Sequence, residues 1–241
     1  MSKKQLLLIS NSRQAGYPYL GHASTPIKEF LGKKVKEVLF VPFAGVVISY
    51  DNYSMMARKA FEELGYQLVS MHEVSDPVEA VSKAQAIVIG GGNTFHLLKQ
   101  LYDSDLLKSI RDAVESGVHY VGWSAGANVA GPTIKTTNDM PVVWPPSLDA
   151  LSLVPFQINP HYHDDVHPGF TGETREERIT EYTFLHKNSY VVGLREGTML
   201  EVQGSSTRLI GEKPARIFVH GKPPAEYNAQ DSLDFLSVVK P

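Results

Sequence analysis

The sequence predicts an α/β fold in which a mostly parallel sheet is covered by helices on both faces, with β-hairpins added near the C-terminus. Short apolar runs rich in Val and Ile, each bounded by Gly, Pro or polar residues, alternate with longer stretches of helical spacing. Alternation of this kind favours parallel strands joined by crossover helices. The C-terminal third breaks the pattern with closely spaced short strands.

In chain order, strands are predicted at 6–9, 35–41, 67–70, 86–89 and 118–123. Helical patterns occupy 52–64 and 105–115, each followed by a glycine, Gly65 and Gly117, where a helix C-terminus favours a left-handed residue. Pro77 behind Asp76 reads as a first-turn proline after a cap. A rigid proline-rich loop fills 140–146, an apolar strand-like run covers 153–158, and a helix is predicted over 176–186. Strands at 190–194, 199–202, 208–210 and 216–219 suggest hairpins on one edge. No repeat or convincing linker interrupts the chain, so 1–241 reads as a single α/β domain.

The 241 residues suffice to bury a sizeable core without staples. A net charge of −3 gives no global attraction to nucleic acid or anionic membrane. The absence of cysteine excludes disulfides, thiolate metal sites and a cysteine nucleophile, and fits a reducing compartment. The apolar run after Lys3 and Lys4 is too short for a signal peptide and lacks a small-residue cleavage site. No stretch approaches the roughly 20 apolar residues of a membrane helix. A cytoplasmic protein is expected.

Function gathers at the carboxyl ends of strands in such sheets, which directs attention to three loops. The segment Gly122-Trp123-Ser124-Ala125-Gly126 is a G-x-S-x-G motif, with an apolar strand running in and a small-residue helix start running out. That is the setting of a nucleophile elbow, with Ser124 at the turn and the following helix aiming amides and dipole at it. The plain alternative is a tight turn in a Gly/Ala-rich packing contact. At the end of the preceding strand, Gly90-Gly91-Gly92-Asn93-Thr94 can place free N–H groups near a developing oxyanion. Gly91, Gly92 and the amide of Ala125 are the candidate donors, and Asn93 is a candidate substrate contact. A phosphate-cradling loop lacks its motif here, and a structural glycine turn is the bland reading.

A serine nucleophile needs a base, usually a histidine held by a third group. Asn159-Pro160-His161-Tyr162-His163-Asp164-Asp165-Val166-His167 offers three histidines. His161 is preferred, because it follows an apolar run and a rigid Asn-Pro. A metal site would need a ligand where Val166 stands, so no metal is expected. For the acid, Glu196 at a strand end competes with Asp139 in the loop after the elbow, and spacing does not decide between them.

Together, the Trp123 to Asn128 segment, the Gly90 to Thr94 loop, Thr136 to Pro141, Gln157 to His161 and Gly172-Glu173-Thr174-Arg175-Glu176 resemble the peptidase E family of α-aspartyl dipeptidases, as does Val41-Pro42-Phe43-Ala44-Gly45. The resemblance runs from about residue 6 to about 202. It implies a class I glutamine amidotransferase-like fold, with serine in place of cysteine at the elbow. It implies hydrolysis of Asp-X dipeptides without a cofactor. By motif match, Ser124 is the nucleophile, His161 the base and Glu196 the acid. Asp139 becomes an alternative acid or a contact for the substrate ammonium, and Arg175 the receptor of the substrate β-carboxylate. A guanidinium fork suits that carboxylate bidentately. The small peptide is then the partner, with neither nucleic acid nor membrane, and a homodimer stays open. Other readings are a serine hydrolase of another acidic amide (cyanophycin-type), a non-catalytic binding protein on this scaffold, and an esterase using Asp139. Arg175 is expected to lie far from Ser124, or to be poorly ordered, in the empty enzyme.

Overall fold

Five strands build the parallel part of the first sheet: β1 (Gln5–Ile9), β2 (Glu37–Val41), β3 (Gln67–Ser70), β4 (Ala86–Ile89) and β5 (His119–Trp123). The computed structural model describes residues 4–164, 169 and 171–238. The strands lie in the order β3-β2-β4-β5-β1, all parallel. A hairpin of β8 (Met199–Gln203) and β9 (Ser206–Ile210) continues the sheet antiparallel beyond β1.

Side-chain alternation along each strand feeds two cores. Leu7, Ile9 and Phe40 pack under α1 (Ser24–Leu31) and α2 (Tyr50–Leu64). Leu6, Leu8 and Ile89 pack on the opposite face with α3 (Pro77–Lys83), α4 (Thr94–Asp103) and α5 (Leu106–Ser116). Both faces are thus covered. Asp76 caps α3 by accepting from the Glu79 amide, with Pro77 in the first turn. Gly65 and Gly117 close α2 and α5 at φ 95° and 112°.

The C-terminal strands divide between two sheets instead of gathering on one edge. Strand β6 (Gln157–Tyr162) pairs in parallel with β7 (Tyr190–Arg195). The connection between them carries α7 (Arg175–Leu185). Antiparallel strands β10 (Ala215–Val219) and β11 (Ala225–Tyr227) complete the order β11-β10-β7-β6. One face of this sheet, through Ile158, Val192 and Leu194, joins the core of α4 and α5. The other face, through Tyr162, Val191 and Phe218, packs against Ile179 of α7.

Three local departures have physical causes. The apolar run 153–158 is only partly strand: Leu153, Val154 and Phe156 are buried in irregular backbone, and burial pattern alone does not distinguish these states. The strand instead continues through Pro160, which an edge strand tolerates. Helix α4 begins where the sequence reads as a glycine-rich loop, because Asn93 is its cap and accepts from the His96 amide. Among the described residues no helix is long and apolar enough to cross a membrane.

The second sheet is laced by charge. Arg195 pairs with Asp164 and Glu226, and Arg216 pairs with Glu226 and Glu176. Hydrogen bonding from Arg195 holds the Glu226 carboxyl below its ordinary pKa. A carboxylate with a lowered folded pKa stabilises above its unfolded pKa, and that contribution is lost as pH falls through the folded value. Glu226→Gln should therefore lower Tm at neutral pH. The difference from wild type should close as pH falls below the ordinary glutamate range. Solvent screening limits the shift to about 2–4 °C at this chain length. Thermal melts from pH 7 to pH 3 check it; a gap that persists at pH 3 refutes the linkage.

Candidate active site

Strand β5 ends at Trp123, and the chain turns at Ser124 into the single turn α6 (Ala125–Asn128). Ser124 has φ 52° and ψ −113°, a region that costs a non-glycine residue about 1–3 kcal/mol. The strain is held by neighbours. The Ser124 amide donates to the Ile9 carbonyl of β1 (3.0 Å), and the amides of Ala127 and Asn128 donate back to the Ser124 carbonyl (both 2.9 Å). The flanking glycines are required by contact. A Cβ on Gly122 would lie 2.4 Å from the Gly126 carbonyl oxygen, and one on Gly126 would lie 2.2 Å from that of Ile89. Since α6 has only four residues, its dipole is small. What it offers is the unbonded first amide, Ala125 N–H.

The candidate base comes from the second sheet. A register shift between Pro160 and Tyr162 bulges His161 out of β6, at φ 54°. Its Nε2 lies 2.9 Å from Ser124 Oγ and its Nδ1 lies 2.7 Å from Glu196 Oε1. This geometry fits a neutral imidazole protonated on Nδ1, which donates to the carboxylate and leaves Nε2 to accept from the serine hydroxyl. Glu196 follows β7 at the tight turn before β8, where the Gly197 amide donates to Asn11 Oδ1 (2.8 Å). Ser10, fully buried, accepts from the His161 amide (2.9 Å) and donates to the Leu194 carbonyl (2.7 Å). Ser10 and Asn11 escaped the sequence reading. The one signal for them is the polar Ser-Asn-Ser directly after a buried strand.

The glycine loop faces Ser124. Among the described residues the amides of Gly91, Gly92 and Ala125 have no protein acceptor. They are available to an oxyanion on a carbon bonded to Ser124 Oγ. Tyr53 of α2 donates to the Gly91 carbonyl (2.8 Å), and Trp123 Nε1 donates to Tyr53 Oη (3.2 Å). In a trans peptide, C=O and N–H point in opposite directions. Anchoring the Gly91 carbonyl on buried Tyr53 therefore turns the Gly92 N–H the other way. Burial pushes the Tyr53 hydroxyl up to about 12, so it remains a donor throughout the working range.

The remaining candidates are distributed around this centre. Asp139 makes no hydrogen bond to His161, whose Nδ1 is bonded to Glu196. Its Oδ2 accepts from the Thr94 amide (2.8 Å) and hydroxyl, and from Thr137 Oγ1 (3.1 Å), at the start of α4. Asn93 borders the cleft holding Ser124, but its amide is engaged by Met140 O and the His96 amide. Arg175, the first residue of α7, does not line that cleft. It borders a cavity of about 780 Å³ shared with His161 and Glu196, and a second of about 280 Å³ shared with Asp139 and Asn159. Burial lowers its pKa, and His163 Nε2 lies 3.5 Å from its Nη2. In the histidine stretch, Asp164 is committed to Arg195, while Asp165, Val166 and His167 lie outside the described residues. Among the described residues no cluster of His, Cys, Asp or Glu is arranged to hold a metal ion.

A serine on a strand-to-helix elbow, bonded to a histidine that is bonded to a carboxylate and facing free amides, defines a serine hydrolase on an α/β scaffold. The comparisons with known proteins agree. Residues 6–210 match peptidase family S51, and the chain belongs to that family. It is 51% identical to a peptidase E of Nostoc sp. PCC 7120, over 97% of this chain and 96% of the relative. It is 47% identical to a peptidase E of Shewanella denitrificans, over 90% of this chain and 91% of the relative. A solved structure from Listeria monocytogenes, described as a candidate peptidase E, superposes with a TM-score of 0.64 at 26% identity, covering 86% of this chain and 98% of that one. A peptidase from an acI-B1 actinobacterium shares the fold, at TM-score 0.70 and 18% identity, over 95% of this chain and 96% of that one. The protein is a serine peptidase.

Tyr53→Phe should release the Gly91–Gly92 peptide while leaving substrate contacts in place. We expect kcat to fall by about tenfold with KM little changed, less than the roughly 10²–10³ lost when an oxyanion donor is removed outright. Steady-state kinetics on a folded variant, verified by its melting temperature, decides; an unchanged kcat refutes the role.

Proposed function

We propose that the protein is an α-aspartyl dipeptidase working through an acyl-enzyme. The observation that carries the chemistry is the hydrogen-bonded chain Ser124 Oγ, His161 Nε2, His161 Nδ1, Glu196 Oε1 at the elbow. In this reading Ser124 Oγ attacks the scissile carbonyl while His161 takes its proton. Glu196 holds the tautomer and stabilises the imidazolium. The amides of Gly92 and Ala125, with that of Gly91, receive the oxyanion. His161 then protonates the leaving amine, and the same residue activates the water that releases the acid. No metal or cofactor enters.

Specificity is assigned to the cavities beyond His161. Arg175 takes the β-carboxylate, since a half-buried guanidinium without a carboxylate partner among the described residues is completed by one. The ammonium goes to Asp139, whose Oδ1 has no partner among the described residues, beside Asn159, whose buried Oδ1 has none among them either. Small peptides are the partners in this reading; a cytoplasmic location and a homodimeric state belong to it as well.

Two experiments separate its parts. Hydrolysis of Asp-X, Asn-X and Glu-X dipeptides should show cleavage of Asp-X alone, abolished in Ser124→Ala to within the roughly 10³–10⁴ over water that binding and amides can leave. Arg175→Ala should lose the preference for Asp-X over Asn-X, and an undiminished preference sinks the assignment. The second experiment compares the carboxylates. Glu196→Gln should lower kcat by about 10²-fold or more, because it disturbs the tautomer and the imidazolium. Asp139→Asn should mainly raise KM. The reverse pattern would return Asp139 to the chemistry.

A further inference from the structure

The cleft in front of Ser124, about 550 Å³, is not accounted for by the aspartyl half of a substrate, whose proposed contacts line the neighbouring cavities. Its walls have two features. One is apolar: Val46, Val47 and Ile48, in the loop between β2 and α2, are exposed, and Met56 and Tyr19 border the same space. Three consecutive apolar side chains facing solvent beside a nucleophile call for an occupant. The other feature is a single cation, Arg13.

Arg13 is placed by the same segment that places the catalytic groups. Asn11 Oδ1 accepts from the Gly197 amide beside Glu196, and Asn11 Nδ2 donates to the Arg13 carbonyl (2.7 Å). The Ser12 carbonyl accepts from the Leu20 amide (2.8 Å). The side chain then lies against soft neighbours, its guanidinium carbon 5.7 Å from the centre of the Tyr19 ring and Nη2 3.5 Å from the Met56 sulfur. Neither satisfies a guanidinium, and among the described residues Arg13 has no carboxylate within ion-pair distance. The contrast with Arg195 and Arg216, each bound to two carboxylates or more, is plain.

We propose that this cleft is the leaving-residue subsite: Arg13 binds the free C-terminal carboxylate of the dipeptide, and the Val46–Ile48 loop receives an apolar side chain at the second position. The assignment rests on the dipeptidase reading. It follows from where the leaving amine must be. His161 Nε2, which protonates that amine, is bonded to Ser124 Oγ; Ser124 borders this cleft and not the cavities of Arg175, while His161 borders this cleft and one of those cavities. A residue leaving past Nε2 therefore enters the space that Arg13 overlooks. Arginine suits the task because its planar fork meets a carboxylate with two parallel N–H donors.

The test is steady-state hydrolysis of Asp-Leu, Asp-leucinamide and Asp-Gly by wild type and Arg13→Gln. Asp-leucinamide keeps the scissile bond and side chain and lacks only the carboxylate. Wild type should favour Asp-Leu over Asp-leucinamide by about tenfold in kcat/KM, the scale of a charge-assisted contact open to solvent. It should also favour Asp-Leu over Asp-Gly. In Arg13→Gln the ratio of Asp-Leu to Asp-leucinamide should fall toward one, through a higher KM for Asp-Leu. Arg13 is exposed, so the variant should fold, and its melting temperature verifies this. A ratio that is unchanged in the variant, or equal cleavage of acid and amide by wild type, overturns the role of Arg13 while leaving the aspartyl reading intact. Equal cleavage of Asp-Leu and Asp-Gly overturns the role of the apolar loop. Failure to cleave any of the three by wild type overturns the dipeptidase reading and this proposal with it.

Discussion

The serine and its base stand on different sheets, so everything depends on how those sheets are joined. Ser124 ends the central β5 of the first sheet, while His161 bulges from β6, the edge of the second. The Ser10 hydroxyl bridges them, taking the His161 amide proton and giving its own to the Leu194 carbonyl. Asn128 of α6 and Thr136 both donate to the Ile158 carbonyl (2.7 and 2.9 Å), and Asn138 donates to the Pro160 carbonyl (2.8 Å). These donors satisfy an edge that would otherwise bury unpaired carbonyls. They also fix β6 against the turn that carries Ser124. A shift of 1 Å between reacting groups is enough to lose about 10²-fold in rate. A polar seam of short side chains, pinned at both ends, is a stiffer connector than an apolar contact of similar area.

Two left-handed residues are the local expression of this constraint. Ser124 and His161 both have positive φ, and neither is glycine. Each is held by hydrogen bonds on its own backbone, Ser124 through Ile9 and α6, His161 through Ser10. A relaxed backbone at either position would aim the side chain elsewhere. The strain is tolerable because the surrounding strands are almost entirely buried and fix the backbone on both sides. Preorganisation continues into the glycine loop, where Tyr53 sets the peptide that faces the serine.

This logic explains what could be read from the chain. Strand periods, glycine caps and the G-x-S-x-G turn are local patterns, and they placed the five parallel strands and Ser124 well. Asn-Pro before His161 was a usable cue, because proline on an edge strand and a bulge after it are coupled. The second sheet was not legible. One of its four strands contains a proline, and another has only three residues. Whether a C-terminal hairpin joins β1 or β7 is decided by pairing across long stretches of sequence. Spacing left the choice between Glu196 and Asp139 open for the same reason, since carboxylates beyond a loop look alike until the histidine is placed, and Glu196 was preferred only through the family resemblance. Ser10, Asn11 and Tyr53 are ordinary residue types whose importance lies in partners far along the chain. No window of sequence contains both halves of those contacts.

Charge closes the argument about substrate. An Asp-X dipeptide carries two carboxylates and one ammonium. Around His161 the chain offers two arginines without carboxylate partners among the described residues, Arg175 on one side and Arg13 on the other, and beyond Arg175 the Oδ1 of Asp139, which has no hydrogen-bond partner among the described residues. In the proposed reading these groups also follow the order along the substrate. The ammonium and β-carboxylate belong to the first residue, beyond the histidine, and the second carboxylate belongs to the residue leaving past Ser124. A longer peptide would carry its carboxylate out of reach of Arg13, and a neutral first residue would leave Arg175 unpaired in a half-buried site. In the proposed reading, a preference for a short, doubly anionic peptide arises from two arginines lining separate cavities, with the nucleophile in between.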